Sequence, residues 1–171
     1  MSDLAEAAIF LSFSGITGES WLPEGNVPPG PGAGWIPLLS CSLTASVNVQ
    51  ARAIRAGAKS SVDFGGEAPP VVITKLTDGA TVGLMREMLA TPKLGDAAIV
   101  FTRTSDDGSP TEYMRYNLRG CSIVGFEFHG LGQDRSSEEF KILYKSLTLI
   151  AFAGQAGAKG AQSSAVLTNG G

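Results

Sequence analysis

Residues 35–49 read Trp35-Ile36-Pro37-Leu38-Leu39-Ser40-Cys41-Ser42-Leu43-Thr44-Ala45-Ser46-Val47-Asn48-Val49. Leu39, Cys41, Leu43, Ala45, Val47 and Val49 share one phase of a period of two. Ser40, Ser42, Thr44, Ser46 and Asn48 share the other. Successive side chains of a strand point to opposite faces, so this spacing predicts a half-buried strand with one apolar and one wet face. The wet face is rich in hydroxyls and carries no charge. Two readings fit it, a plain exposed sheet face and the lining of a channel.

The same period recurs further along. From Thr111 to Phe128 the even positions Met114, Tyr116, Leu118, Val124, Phe126 and Phe128 are apolar, and Arg115, Asn117 and Arg119 oppose them. Gly120 and Gly125 mark a bend or bulge in that strand. From Glu139 to Phe152, Phe140, Ile142, Tyr144, Ile150 and Phe152 share one phase. Leu143, Leu147 and Leu149 share the other, which predicts a strand covered on both faces. Shorter strands are expected at Ala8–Phe13, Val71–Leu76 and Ala97–Thr102. One helix is expected from Thr81 to Ala90. Val82, Met85 and Leu89 stand at i, i+3 and i+7 as its core anchors, with Thr81 as N-cap and Pro92 as stop.

Between these elements lie two long loops. Thr17 to Gly34 contains Val27-Pro28-Pro29-Gly30-Pro31-Gly32-Ala33-Gly34, which excludes regular structure. Gln50 to Pro70 carries the cations Arg52, Arg55 and Lys59, and a loop of that length in a small domain is usually functional or disordered. Its length and charge predict a protruding segment that reaches another subunit or ring. Residues 154–171 are rich in Gly, Ala and Ser and are expected to be a flexible tail after a single domain at 1–153.

The whole chain has 171 residues, of which 17% are charged, against about 25% in ordinary domains. So little charge, with 43% hydrophobic residues, excludes a disordered acidic chain. It also predicts that part of the surface is covered by other copies. A net charge of −3 excludes the basic face on which nucleic-acid binding rests. The first base is Arg52, so no positively charged segment of a secretory signal stands at the N-terminus. The longest uncharged run is broken by Pro28, Pro29, Pro31 and Pro37, which argues against a membrane span.

Little in the sequence points to catalysis. His129 is the single histidine, and it precedes the turn-like Gly130-Leu131-Gly132. Cys41, Cys121 and His129 lack metal-ligand spacing, and no cofactor is expected. Cys41 falls on the apolar phase of its strand and reads as a small core residue. Asp106-Asp107-Gly108 reads as a hairpin turn. No phosphate-binding glycine loop is present.

The order of these pieces resembles a known family. Gly18-Glu19-Ser20 is followed by a proline- and glycine-bearing loop and by Ile36-Pro37-Leu38-Leu39-Ser40-Cys41-Ser42-Leu43. Then come Pro70-Val71-Val72-Ile73-Thr74-Lys75, Asp78 and Thr81, and finally Glu138-Glu139-Phe140-Lys141-Ile142. From Ala7 to Ala153 this is similar to the Hcp family (hemolysin-coregulated protein), the inner-tube proteins of type VI secretion systems. The resemblance implies a mainly β fold, a small β-barrel of two packed sheets with one short helix at its side. It further implies homohexameric rings that stack into a tube inside a sheath. The tube is assembled in the cytoplasm, is expelled without a cleavable signal and carries effector proteins. It places the strand of Ser40, Ser42, Thr44 and Ser46 on the channel side, and the Arg115, Asn117 and Arg119 phase is expected to contribute to the same wall. Three alternatives stand beside this reading: a stand-alone ligand-binding β-sandwich or barrel, the tube protein of another contractile machine, and a hydrolase using Cys121 or Cys41 with His129.

Overall fold

A computed structural model describes residues 7–45, 61–63, 68–90, 94–152 and 162–168. Their elements run β1 (Ala7–Phe13), β2 (Ile36–Leu38), β3 (Ser40–Leu43), β4 (Ser61–Asp63), β5 (Val71–Leu76), α1 (Thr81–Leu89), β6 (Gly95–Thr104), β7 (Pro110–His129), β8 (Ser137–Leu143), β9 (Ser146–Phe152) and β10 (Gln162–Thr168). The strand read at 35–49 is two strands. β2 pairs with β1, whereas β3 pairs with β5. Leu39 lies between them, 56% exposed, and its N–H bonds to Thr74 O at 2.7 Å. The expected core position at Leu39 is therefore a corner where the chain passes from one sheet to the next. Positions 46–49 lie outside the described residues.

That corner closes the barrel. Neighbouring strands follow the order β2-β1-β6-β7-β8-β5-β3, which starts and ends on the two halves of one extended run. Closure removes the free edges that an open sheet would leave. β7 spans both sheets. Its first half pairs with β6 on one edge and β9 on the other, and its second half pairs with β8. β8 and β9 form one antiparallel run along β7, interrupted at Tyr144-Lys145.

The interruption resets the alternation. Gly120 has φ +62°, a left-handed conformation that glycine adopts without steric cost, and Lys145 N–H bonds to Arg119 O beside it. Leu118 faces the core before the bend, and Cys121 and Ile123 face it afterwards. A second irregularity falls between Ile123 and Gly125. Val124, expected on the core phase, is in consequence 51% exposed; the second irregularity returns Phe126 to the core, and Phe128, in that phase near the strand end, is 52% exposed. On the opposing run Phe140, Ile142 and Tyr144 are buried, and the core phase then passes to Leu147.

The main core gathers Leu11, Phe13, Val71, Ile73, Ile99, Leu118, Phe140, Ile142 and Leu147 inside the barrel. A smaller cluster lies outside it. Val27 and Trp35, with Leu22, cover Ala98 and Val100 of β6 and Phe10 of β1. The proline- and glycine-bearing loop is thus a lid on the sheet, and it lies close. A Cβ on Gly18 would stand 2.3 Å from the Trp35 carbonyl, and one on Gly32 would stand 2.2 Å from Phe13 O.

The helix presents a face other than the one expected. Val82 and Leu89 are exposed, and Leu84 is fully buried, with Met85 and Met88 half-buried against the core. The packing face is Ala80, Leu84 and Met88, an i, i+4, i+8 stripe. Gly83 lies beside it over Ile16, where an added Cβ would come within 3.3 Å. Of Val82, Met85 and Leu89, only Met85 touches the core. Thr81 is not the cap. Ala80 holds that position, and Asp78 Oδ1 accepts the Ala80 N–H at 2.9 Å. Leu84→Ala is expected to cost about 2–5 kcal/mol, and Leu89→Ala less than about 0.5 kcal/mol. Denaturant midpoints of the two variants check this, and equal shifts would contradict the helix orientation.

The C-terminal segment is not wholly a free tail. Gln162–Thr168 is strand β10, antiparallel to β9 and parallel to β4. Its polar composition conceals this, because its hold comes from backbone pairing on the β9 edge and from Leu167, which enters the core.

Candidate functional site: the hydroxyl face and the barrel ends

The sheet of β3, β5, β8 and the second half of β7 turns one phase to the core and the other outward. Cys41 and Leu43 pack against the core, and Ser40, Ser42 and Thr44 are exposed. Ser46 lies outside the described residues. Strand register places Ser42 in a row with Val72, Lys141 and Gly125, and Ser40 in a row with Thr74, Glu139 and Glu127. The face is therefore small and uncharged on β3 and becomes charged toward β7. His129 stands at its far margin, exposed, 3.4 Å from Glu127 Oε1.

The second set of residues expected on this wall divides. Arg119 is exposed, and its guanidinium is 3.8 Å from Asp96. Asn117 is half-buried, in a row with Ala98 and Thr148. Arg115 is only 8% exposed and lies under the loop lid. Its Nε donates to Glu112 Oε1 at 2.6 Å, and its Nη2 donates to Glu112 Oε2 at 3.2 Å and to Pro28 O at 2.7 Å. Its guanidinium carbon is 5.8 Å from the Trp35 ring centroid. Arg115 thus clamps the lid and is no part of an open wall. The Asn117 and Ser42 rows share no residue, so the structure does not bring the two sets together.

The barrel has two unlike ends. β3 runs from Ser40 to Leu43, and β5 runs back from Val71 to Leu76. Residues 46–60, which include Arg52, Arg55 and Lys59, lie outside the described residues. The chain leaves toward them past Leu43 and returns to Val71 at the same end. At the opposite end Glu19, Pro37, Leu38, Leu39, Leu76, Asp78 and Arg135 line a hollow of about 280 Å³. Glu19 Oε1 accepts the Gly79 N–H at 3.0 Å, and Arg135 Nε donates to Thr77 O at 3.1 Å.

Beneath that end lies an ionic cluster that strand periodicity did not single out. Lys75 and Glu138 are fully buried Cα partners on β5 and β8. Lys75 Nζ lies 2.6 Å from Glu138 Oε1, 2.8 Å from Asp78 Oδ1 and 2.9 Å from Leu76 O. Thr81 Oγ1 donates to Glu138 Oε1 at 2.7 Å, and Thr77 Oγ1 donates to Oε2 at 3.2 Å. Each charge has several partners, the condition under which a buried ion pair persists. The cluster ties the start of α1 to the barrel. A signal did exist in the sequence. Lys75 shares its phase with Val71 and Ile73, and Glu138 shares its phase with Phe140 and Ile142.

The two thiols are poor nucleophiles. Burial pushes Cys41 up to about 12, and burial, helped by the nearby Asp96 carboxylate, pushes Cys121 up to about 12. Asp106 and Asp107 form the β6–β7 turn, where Gly108 has φ +82° and Asp107 Oδ1 accepts from Ser109. Among the described residues no group of His, Cys, Asp and Glu is arranged to hold a metal. No described helix is long and apolar enough to cross a membrane.

A closed mainly-β barrel with one flanking helix, a hydroxyl face and a covering loop defines a structural β-barrel class. The sequence profile of the family described as "Type VI secretion system effector, Hcp" matches residues 10–149, and the chain belongs to that family. It is a tube subunit of the type VI secretion system, a structural protein. No curated protein sequence matches it significantly. Solved structures share its fold. Hcp1 from Salmonella typhimurium is 17% identical, with a TM-score of 0.66 over 96% of this chain and 95% of that one. A type VI secretion system effector from Yersinia pestis is 17% identical, with a TM-score of 0.64 over 94% and 98%. The secreted protein Hcp3 from Pseudomonas aeruginosa is 18% identical, with a TM-score of 0.61 over 93% and 97%.

Proposed function

We propose that six copies form a homohexameric ring, that rings stack head to tail into a tube, and that Ser40, Ser42, Thr44 and Ser46 line its channel. The observation that carries this reading is the exposed, uncharged hydroxyl face on β3, in a chain whose family builds secretion tubes. A channel that passes varied cargo requires a wall with neither a strong charge nor a strong apolar grip, and small hydroxyls meet that requirement. Arg119 and Asn117 are the remaining candidates from the second set.

The unlike ends support stacking in one direction. Arg52, Arg55 and Lys59 belong to the segment that joins Leu43 to Val71, two residues at one end, and the hollow at the other end is lined by Glu19, Asp78 and Arg135 among apolar side chains. Head-to-tail contacts of this kind are heterologous and propagate along an axis. The protein acts by assembly and not by catalysis. Sheath, tip and effector proteins are its partners, and nucleic acid and membrane insertion play no part. It is assembled in the cytoplasm and then expelled.

Native mass spectrometry at micromolar concentration is expected to show six copies, and a monomer at all concentrations overturns the ring. A Ser42→Cys variant with a thiol reagent too bulky for the channel tests the wall. Labelling is expected to be slower in the ring than in dissociated subunits, and equal rates place Ser42 outside. Reversing Arg52, Arg55 and Lys59 to Glu is expected to leave rings intact and to abolish stacking.

A further inference from the structure

We infer that β10 is an exchangeable strand, and that in the assembly the β9 edge of one copy is completed by Gln162–Thr168 of a second copy. This goes beyond the ring and channel reading, because it concerns which chain supplies a strand and not where the channel lies.

Three observations carry it. The first is how little of β10 is held by side chains. Gln162, Ser163, Ser164 and Ala165 are exposed, Val166 and Thr168 are half-buried, and Leu167 alone is buried, at 9% exposure. By contrast β5 and β8 each bury three side chains. The second is how much of it is held by backbone. All seven residues of β10 have register partners on β9, from Gln162 opposite Phe152 to Thr168 opposite Ser146, and three of the seven also pair with β4. Backbone pairing carries no mark of which chain donates it. Leu167 stands opposite Leu147, and that position exists in every copy.

The third observation is the connection. The register sets Phe152 opposite Gln162, a geometry that a hairpin loop of about two to five residues closes. Nine residues, Ala153 to Ala161, stand there instead. A chain of that length spans up to about 30 Å when extended. That is enough to carry β10 to the same edge of an adjacent copy. Contacts made in trans are the same as those made in cis, so the exchange costs only the difference in how the connection is constrained, the condition under which strand swapping occurs readily.

Paired cysteines test the inference. Ala151 and Ser163 are register partners across β9 and β10, and a disulfide requires Cα atoms about 4.4–6.8 Å apart, which neighbouring strands provide. A chain carrying both Ala151→Cys and Ser163→Cys is expected to crosslink under oxidised glutathione, which establishes the pairing itself. Differently tagged full-length chains, one with Ala151→Cys and the other with Ser163→Cys, are then mixed, dissociated and reassembled. A disulfide between the two tags is expected. Leu167→Ala on the Ser163→Cys chain is expected to speed its appearance by at least about tenfold, because it removes the one buried anchor. If the double variant crosslinks and the mixed assembly forms no inter-tag disulfide, β10 stays on its own chain and the inference is wrong. If the double variant does not crosslink, the β9–β10 pairing is wrong and the inference falls with it.

Discussion

Lys75→Met is expected to lower the stability of the subunit by about 3–5 kcal/mol, read as a shift in denaturant midpoint at unchanged slope. The substitution keeps the length and apolar stem of the side chain and removes its charge. What remains is Glu138, fully buried, and Asp78, whose side chain is 6% exposed, with no cation between them. Two carboxylates drawn together by one ammonium then face each other across a dry interior. Thr77 and Thr81 still donate to Glu138, and the Ala80 N–H still bonds to Asp78, so the loss stays within a range a domain can survive. The complementary double variant Lys75→Met with Glu138→Leu is expected to recover more than half of the loss, because replacing a buried pair with apolar groups often costs little. The pattern of a large single effect and a smaller double effect distinguishes an ion cluster from simple packing. A loss under about 1 kcal/mol for Lys75→Met would mean that water reaches the cluster. Since the cluster holds the start of α1, protection of the helix amides from hydrogen exchange is expected to fall in the same variant.

The fold was legible wherever one rule held along a whole segment. The alternation at Ser40–Leu43 gave the strand and its buried face, the short apolar runs at Val71–Leu76 and Ala97–Thr102 gave strands, and the family resemblance supplied the closed barrel. Legibility failed where a local event reset the rule. Gly120 is a single residue with positive φ, yet it moves Val124 from the expected core to the surface. Leu39 sits in phase with Cys41 and is a corner, because pairing changes partner there. The helix failed for a different reason. Both the 82–85–89 and the 80–84–88 stripes are apolar, and the choice between them rests on the missing side chain at Gly83, which lets the helix lie against Ile16. The strand β10 is invisible to hydrophobic pattern, because its stability comes from an edge offered by another part of the chain. The exposed hydroxyl phase was legible on β3, and the phase of Arg115 was misread, because an arginine opposite an apolar phase looked solvated and is buried.

That misreading sets the second large expectation. Arg115→Ala is expected to cost about 3–5 kcal/mol, and Arg119→Ala less than about 0.5 kcal/mol, although the two stand four residues apart on one strand phase. Removing Arg115 leaves Glu112, whose side chain is 1% exposed, as an uncompensated buried acid. It also leaves Pro28 O without its donor and Trp35 without the cation beside its ring. Each loss acts on the loop lid, so the lid is expected to loosen before the barrel unfolds. Limited proteolysis then cuts between Thr17 and Gly34 at native temperature in Arg115→Ala and not in the parent. Removing Arg119 breaks one long contact to Asp96 in open solvent, where such pairs contribute little. The two variants therefore separate a buried clamp from a solvent-exposed residue. If Arg119→Ala also opened the lid, or if Arg115→Ala left it closed, the assignment of the clamp to the Glu112, Pro28 and Trp35 contacts would fail.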